Sequence, residues 1–175
     1  MIAPASDKTD GYHLFLEPEG KLREEVVAII GSLAAEFTGP MFSPHVTLLA
    51  RIPVEEEGVL IEKTKQLASS LSPFEVVLGT VDMEQAYFRA LYLQVESEEI
   101  KNVHQKANEL FGMQDEGEYV PHLSLLYGNY PETQKQEVAS ALEVPSRSSF
   151  LVNKLHLYKT DGETSNWVKI AEVPF

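Results

Sequence analysis

The sequence contains no cysteine. That absence excludes a disulfide framework, thiolate metal sites, cysteine nucleophiles and thiol redox switching. Positive charge is scarce: 14 Lys and Arg stand against 27 Asp and Glu, for a formal net charge of −13. Such a chain repels phosphate backbones and gains no counterion-release energy from them, so long nucleic acid is not an expected partner. Long apolar runs are also missing. The longest aliphatic run near the amino end is Val26 to Ile30, and no basic stretch introduces it. Neither a signal peptide nor a membrane span is expected, and the expected location is the cytoplasm.

What remains is a chain of 175 residues, 43% hydrophobic, 9% aromatic and 23% charged. These proportions are globular, and the length suffices to bury a core without covalent staples. Tyr12 to Leu16 reads as a strand, closed by Glu17-Pro18. Leu22, Val26, Ile29, Ile30, Leu33 and Phe37 recur at steps of three and four and predict a helix ended by Gly39-Pro40. His45 to Ile52 reads as a strand. Leu60, Thr64, Leu67 and Leu71 mark a second helix, Phe74 to Val81 and Tyr87 to Val95 two strands, and Ile100, Val103, Ala107 and Leu110 a third helix. His122 to Tyr127 is a further strand, followed by a short helix after Pro131. Strands Phe150 to Tyr158 and Trp167 to Val173 flank the Asp161-Gly162 turn.

This order repeats. Leu14-Phe15-Leu16 matches Leu91-Tyr92-Leu93 at an offset of 77, Pro44-His45-Val46-Thr47-Leu48-Leu49 matches Pro121-His122-Leu123-Ser124-Leu125-Leu126 at 77, and Phe74 matches Phe150 at 76. Residues 1–175 are expected to form one domain of two pseudo-symmetric α+β lobes, with the Pro-His strands meeting at a central cleft.

The chemistry lies in the duplicated motif. Five histidines and 21 Ser and Thr would yield about 0.6 chance His-x-Ser/Thr matches, and two occur, each after proline and before Leu-Leu. Strand alternation puts His45 with Thr47, and His122 with Ser124, on one face. Two imidazoles and two hydroxyls across a cleft suit a phosphate ester: the hydroxyls hold non-bridging oxygens, while one neutral and one protonated imidazole activate water and protonate the leaving oxygen. No cofactor or metal is called for. The bland alternative is that both histidines are strand residues satisfied by nearby backbone. His13, His104 and His156 lack the hydroxyl partner and are expected in structural or surface roles.

At these motifs the sequence resembles the 2H phosphoesterase superfamily, and within it the plant- and yeast-type cyclic nucleotide phosphodiesterases. Glu36 to Thr47 resembles the first motif with its approach loop, Tyr119 to Gly128 the second, and the likeness runs on through Leu157 to Asp161 and Trp167. The resemblance implies a bilobal fold with two antiparallel sheets facing a cleft and helices outside. It implies a metal-independent hydrolase, expected as a monomer, that opens 2′,3′-cyclic nucleotides to 2′-phosphates. Some such enzymes also open ADP-ribose 1″,2″-cyclic phosphate, a by-product of tRNA splicing. By motif, His45 and His122 become catalytic, and Thr47 and Ser124 phosphate-binding. Tyr127 corresponds to a tyrosine near the phosphate, although alternation from His122 would turn it away unless the strand bends before Gly128. Phe15, where the family usually shows Trp, and Tyr87 and Phe88 are candidate nucleotide contacts. Arg51 and Arg89 are candidates for positive potential. His122 is assigned as base and His45 as acid, with a half-turn of the substrate exchanging them.

Three other readings compete. One is an RNA-end enzyme of the 2′-5′ RNA ligase type acting on oligonucleotides, disfavoured by Asp115, Glu116 and Glu118 just before the second motif. The second is a nucleotide-binding module without turnover. The third is a two-histidine metal site, which lacks further ligands at suitable spacing.

Overall fold

A computed structural model describes residues 8–115, 117–145 and 147–175. Residues 1–7, Glu116 and Ser146 lie outside them. The elements are β1 (Tyr12–Leu16), α1 (Gly20–Phe37), β2 (Val46–Ile52), α2 (Glu57–Ser69), β3 (Phe74–Met83), β4 (Leu91–Glu96), α3 (Glu98–Phe111), β5 (His122–Leu126), α4 (Glu132–Ala141), β6 (Ser149–Val152), β7 (Lys154–Lys159) and β8 (Val168–Pro174). No helix among the described residues is long and apolar enough to cross a membrane.

Local chemistry sets the helix limits. In α1 the residues Val26, Ile30, Leu33, Ala34 and Phe37 are buried, as their spacing requires. The helix stops at Thr38, in the left-handed region at φ 54°, and the Gly39 N–H returns to the Ala34 carbonyl at 2.9 Å before Pro40 forbids continuation. In α3 the Ser97 hydroxyl accepts from the Ile100 N–H, and Gly112 at φ 68° closes the other end.

All eight strands form one antiparallel sheet in the order β6-β3-β4-β5-β2-β1-β7-β8. The two expected sheets are its halves, and they meet at a single register pair, Val46 of β2 opposite Leu123 of β5. Both residues are fully buried. The halves do not follow the two repeats. By the offset of 76 to 77, β3 corresponds to β6 and β7 together, which part at Asn153. β3 nevertheless joins β4, while β7 joins β1. The helices cross as well: α1 packs on β5 and α3 on β2.

One expected strand is shorter than its pattern. Tyr87–Arg89 form a turn of 3-10 helix, and β4 begins at Leu91. The carbonyls of this turn are used elsewhere: that of Tyr87 accepts the Gly128 N–H at 2.8 Å, and that of Phe88 accepts the Ser124 hydroxyl at 2.8 Å. With its acceptors committed to β5 and the residues after it, the segment does not extend the ladder.

Leu123 tests the seam. Leu123→Ala should lower unfolding free energy by about 2–5 kcal/mol in urea titrations, the cost of a cavity in a closely packed core. A loss under about 1 kcal/mol would show that the seam repacks and does not set the alignment of the halves.

Candidate active site

The site follows from the pairing of Val46 with Leu123. In an antiparallel pair, the residues flanking a facing couple lie opposite one another and project from the other face. Val46 and Leu123 turn into the core, so His45 lies alongside Ser124, and Thr47 alongside His122, on the opposite face. Each histidine is thus set against the other motif's hydroxyl, related by a pseudo-two-fold through the seam. All four residues singled out by motif come together here.

Both imidazoles are braced alike. His45 Nδ1 lies 2.6 Å from the Ser43 carbonyl, and His122 Nδ1 lies 2.9 Å from the Val120 carbonyl. A carbonyl only accepts, so each Nδ1 carries hydrogen and each Nε2 is left for chemistry. The intervening proline, Pro44 or Pro121, holds the preceding residue extended, which keeps the accepting carbonyl two residues before its histidine.

The two rings differ in surroundings. His45 is 5% exposed, stacked on Phe15 at 3.8 Å and 22°, and flanked edge-on by Phe42 and Trp167. Burial lowers its pKa to about 4; the Ser43 bond and Glu17 oppose that shift, and His122 adds to it. His122 is only half-buried, with the Tyr92 ring edge-on at 5.3 Å. Its pKa is also lowered, chiefly by desolvation, with the Val120 bond and Glu84 opposing and Arg89 contributing. Arg89 is ion-paired to Glu84 and lies over the Tyr92 ring. Arg51 is exposed, with a left-handed backbone at φ 55°, and its N–H donates to His13 Nε2.

Tyr127 lies against His45. β5 ends at Leu126, and Gly128 adopts φ 145°, with the Tyr130 ring 2.2 Å from where a Cβ would stand. Only glycine fits, and the bend swings the Tyr127 hydroxyl to 3.4 Å from His45 Nε2. Its ring stacks on Phe42 at 3.7 Å and meets Phe88 edge-on at 5.1 Å. The Thr47 hydroxyl, half-buried, has no hydrogen-bond partner among the described residues, whereas that of Ser124 donates to the Phe88 carbonyl. Phe15 is 2% exposed beneath His45, so it supports the imidazole. Tyr87 and Phe88 are half-buried and frame Tyr127 from the turn before β4.

Several supports escaped the sequence reading. Arg23 donates to the Ser43 hydroxyl at 2.8 Å and lies 3.6 Å from Glu17, which also accepts from the Tyr158 hydroxyl at 2.6 Å and from Lys169 at 3.1 Å. Burial pushes the Glu17 carboxyl up, but Tyr158, His156 and Lys169 outweigh it and hold it below the usual range. On the other half, Tyr119 donates to the Thr47 carbonyl at 2.9 Å and stacks on His104 at 3.7 Å. His104 bridges the Leu48 carbonyl and the Asp115 carboxylate, so it is a buried structural residue. His13 bonds Thr160, and His156 lies between Glu17 and Glu172, both likewise buried. Among the described residues, no three His, Asp or Glu side chains are grouped as a metal ion would require.

The chain and its fold have counterparts among known proteins. The profile of the 2′-5′ RNA ligase superfamily matches residues 18–164. The chain belongs to this family. Its resemblance to the 2H phosphoesterases, drawn from the paired histidine motifs, is therefore borne out. A cyclic phosphodiesterase of Arabidopsis thaliana is 29% identical over 163 residues, which is 89% of this chain and 88% of that protein. Among solved structures, TT0787 of Thermus thermophilus has a TM-score of 0.65 at 16% identity, covering 93% of this chain and 96% of that one. E. coli LigT complexed with 3′-AMP has a TM-score of 0.63 at 12% identity, covering 96% and 98%. At such identities these structures establish a common fold.

Histidine-resolved NMR checks the electrostatics. His45 should titrate near 4 and His13 near 3, both far below the ordinary 6.5. At these two sites the unfolded chain then binds more protons as acidity rises, so their contribution should lower stability as pH drops below 6.5 and level off near those folded values, where the depressed carboxylates such as Glu17 take over the loss. A His45 titrating at 6 or above would show that its enclosure is not maintained in solution.

Proposed function

We propose that the protein hydrolyses 2′,3′-cyclic nucleotides to nucleoside 2′-phosphates by two-histidine acid-base catalysis. The observation that carries this reading is the seam register, which makes His45 and Ser124, and Thr47 and His122, neighbours across β2 and β5 on one face of the sheet. The Arabidopsis relative, named as a cyclic phosphodiesterase, supports it.

His45, enclosed and held neutral, serves as base, and the more open His122 serves as acid. This reverses the assignment made from the motifs alone. His45 Nε2 takes a proton from water, whose oxygen attacks phosphorus in line. The bond from phosphorus to the 3′-oxygen breaks as His122 delivers its proton to that oxygen. Solvent exchange then resets both rings. Thr47 donates to a non-bridging oxygen, and Ser124 turns from the Phe88 carbonyl to donate to another.

A mononucleotide fits better than a polymer. A cavity of about 710 Å³ next to the second motif, bounded by Tyr92, Val120 and Pro121 but by none of the four motif residues, carries Asp82, Glu96, Glu98 and Glu118, with Lys101 the cation among its lining residues. Such walls repel a chain of phosphates.

With chelator present, wild-type protein should convert 2′,3′-cyclic AMP to 2′-AMP and turn over a short oligonucleotide 2′,3′-cyclic end more slowly. His45→Ala and His122→Ala should each lose at least about a hundredfold in kcat. A 3′-AMP product, or a preference for the oligomer, would overturn the assignment. The pH profile of kcat/KM should be a bell displaced to acid, rising through about 4 as His45 loses its proton and falling below 6.5 as His122 loses its own. A flat profile would remove two-histidine catalysis.

A further inference from the structure

Three buried side-chain nitrogens among the described residues lack a hydrogen-bond partner: Arg23 Nη1, His156 Nδ1 and Trp167 Nε1. The first two have a carboxylate within ion-pair reach, Glu17 at 3.6 Å from Arg23 and Glu172 at 3.5 Å from His156. The indole N–H has neither. Indole nitrogen is a donor only, and a buried donor without an acceptor is costly. Such an atom in a native fold calls for an explanation.

Its position supplies one. The indole centroid lies 6.0 Å from the rings of Phe15 and His45, 6.3 Å from Tyr127 and 6.4 Å from Phe88. Phe15 and His45 belong to one half of the sheet, and Tyr127 and Phe88 to the other, so the indole spans the seam beside the paired motifs. The backbone that carries it is tied down. The Trp167 N–H donates to the Thr164 carbonyl at 3.2 Å, and the Thr164 hydroxyl donates to the Met41 carbonyl at 3.0 Å.

We propose that Trp167 is a substrate-contacting residue whose indole N–H donates to a phosphate oxygen of the bound cyclic nucleotide or of its 2′-phosphate product. The proposal rests on the reading that His45, Thr47, His122 and Ser124 hold a phosphate ester. Phosphate oxygens only accept, as the orphaned donor requires. The ring lies beside His45 and Tyr127, where the reacting group must stand. A stacking role against the base would use the ring and leave the N–H unexplained.

Trp167 is the single tryptophan of the chain, so intrinsic fluorescence reads this contact directly. Titration of wild type with 2′-AMP, and separately with inorganic phosphate, should change the emission saturably. Trp167→Phe keeps a ring and removes the donor; by calorimetry it should bind 2′-AMP about tenfold more weakly, or about 1.4 kcal/mol, with its unfolding midpoint maintained. Unchanged emission at saturating 2′-AMP would overturn the contact. So would wild-type affinity in Trp167→Phe accompanied by lost affinity in Trp167→Leu, the pattern of pure stacking. If Trp167→Phe unfolds early, the wild-type emission titration decides. If no cyclic nucleotide is hydrolysed, yet phosphate and 2′-AMP still shift the emission and Trp167→Phe weakens binding, the contact stands and the assigned reaction falls.

Discussion

The pairing of Val46 with Leu123 is the contact on which the site depends. It is the sole register pair between β2 and β5, and it joins two four-stranded halves into one sheet. Because side chains alternate along a strand, a one-residue slip there would exchange faces, sending the histidines inward and the leucine and valine toward solvent. Burying Val46 and Leu123 contributes on the order of 1.5–3 kcal/mol each. The hydrophobic term that holds the halves together therefore also places the polar quartet. Phe15, across from Thr47 in the β1–β2 register, carries the same alignment one strand outward to the ring beneath His45.

Charge is placed with equal restraint. Lys169, Lys154 and Arg23, on the His45 side, are engaged with Glu17, Glu19 and Glu172, and Arg89, on the His122 side, is engaged with Glu84. The acidity of the whole chain is thus not relieved by a free basic patch at the motifs. In the proposed reaction, recognition falls to neutral donors, those of Thr47, Ser124 and Tyr127 together with the indole. Such donors act at hydrogen-bond distance and give no long-range pull. This suits a ligand that enters as one small anion.

Much of this was legible in the residues. The helices followed from apolar spacing, and the four motif residues from duplication combined with period-two alternation. The limits were equally physical. Pairing of β2 with β5, and the exchange of β3 and β7 between halves, are non-local and leave no mark in any window of sequence. Tyr127 was ambiguous because its direction depends on Gly128, whose conformation is dictated by the ring of Tyr130 packed against it. Tyr87 to Arg89 read as strand from their side chains, but their carbonyls were claimed by Ser124 and Gly128. Trp167 lies far along the chain from both motifs, with no spacing to connect it to either. The braces behind the histidines are backbone atoms, invisible to composition, and Pro44 and Pro121 are their only trace.

Those braces decide how the site handles protons. A carboxylate behind each imidazole would supply a fixed counter-charge and favour the imidazolium; a carbonyl supplies a dipole that fixes the tautomer without neutralising a cation. The resting site is therefore close to uncharged, with both rings biased toward the neutral form. In the proposed reaction, a phosphodiester monoanion entering between them brings the missing negative charge and raises the proton affinity of both histidines at once. The ligand thereby acts as counterion to its own proton donor, and the acid is armed only when there is something to protonate. Once the product leaves, the site relaxes to neutrality, which limits its hold on unrelated anions in an enzyme whose surface already repels them.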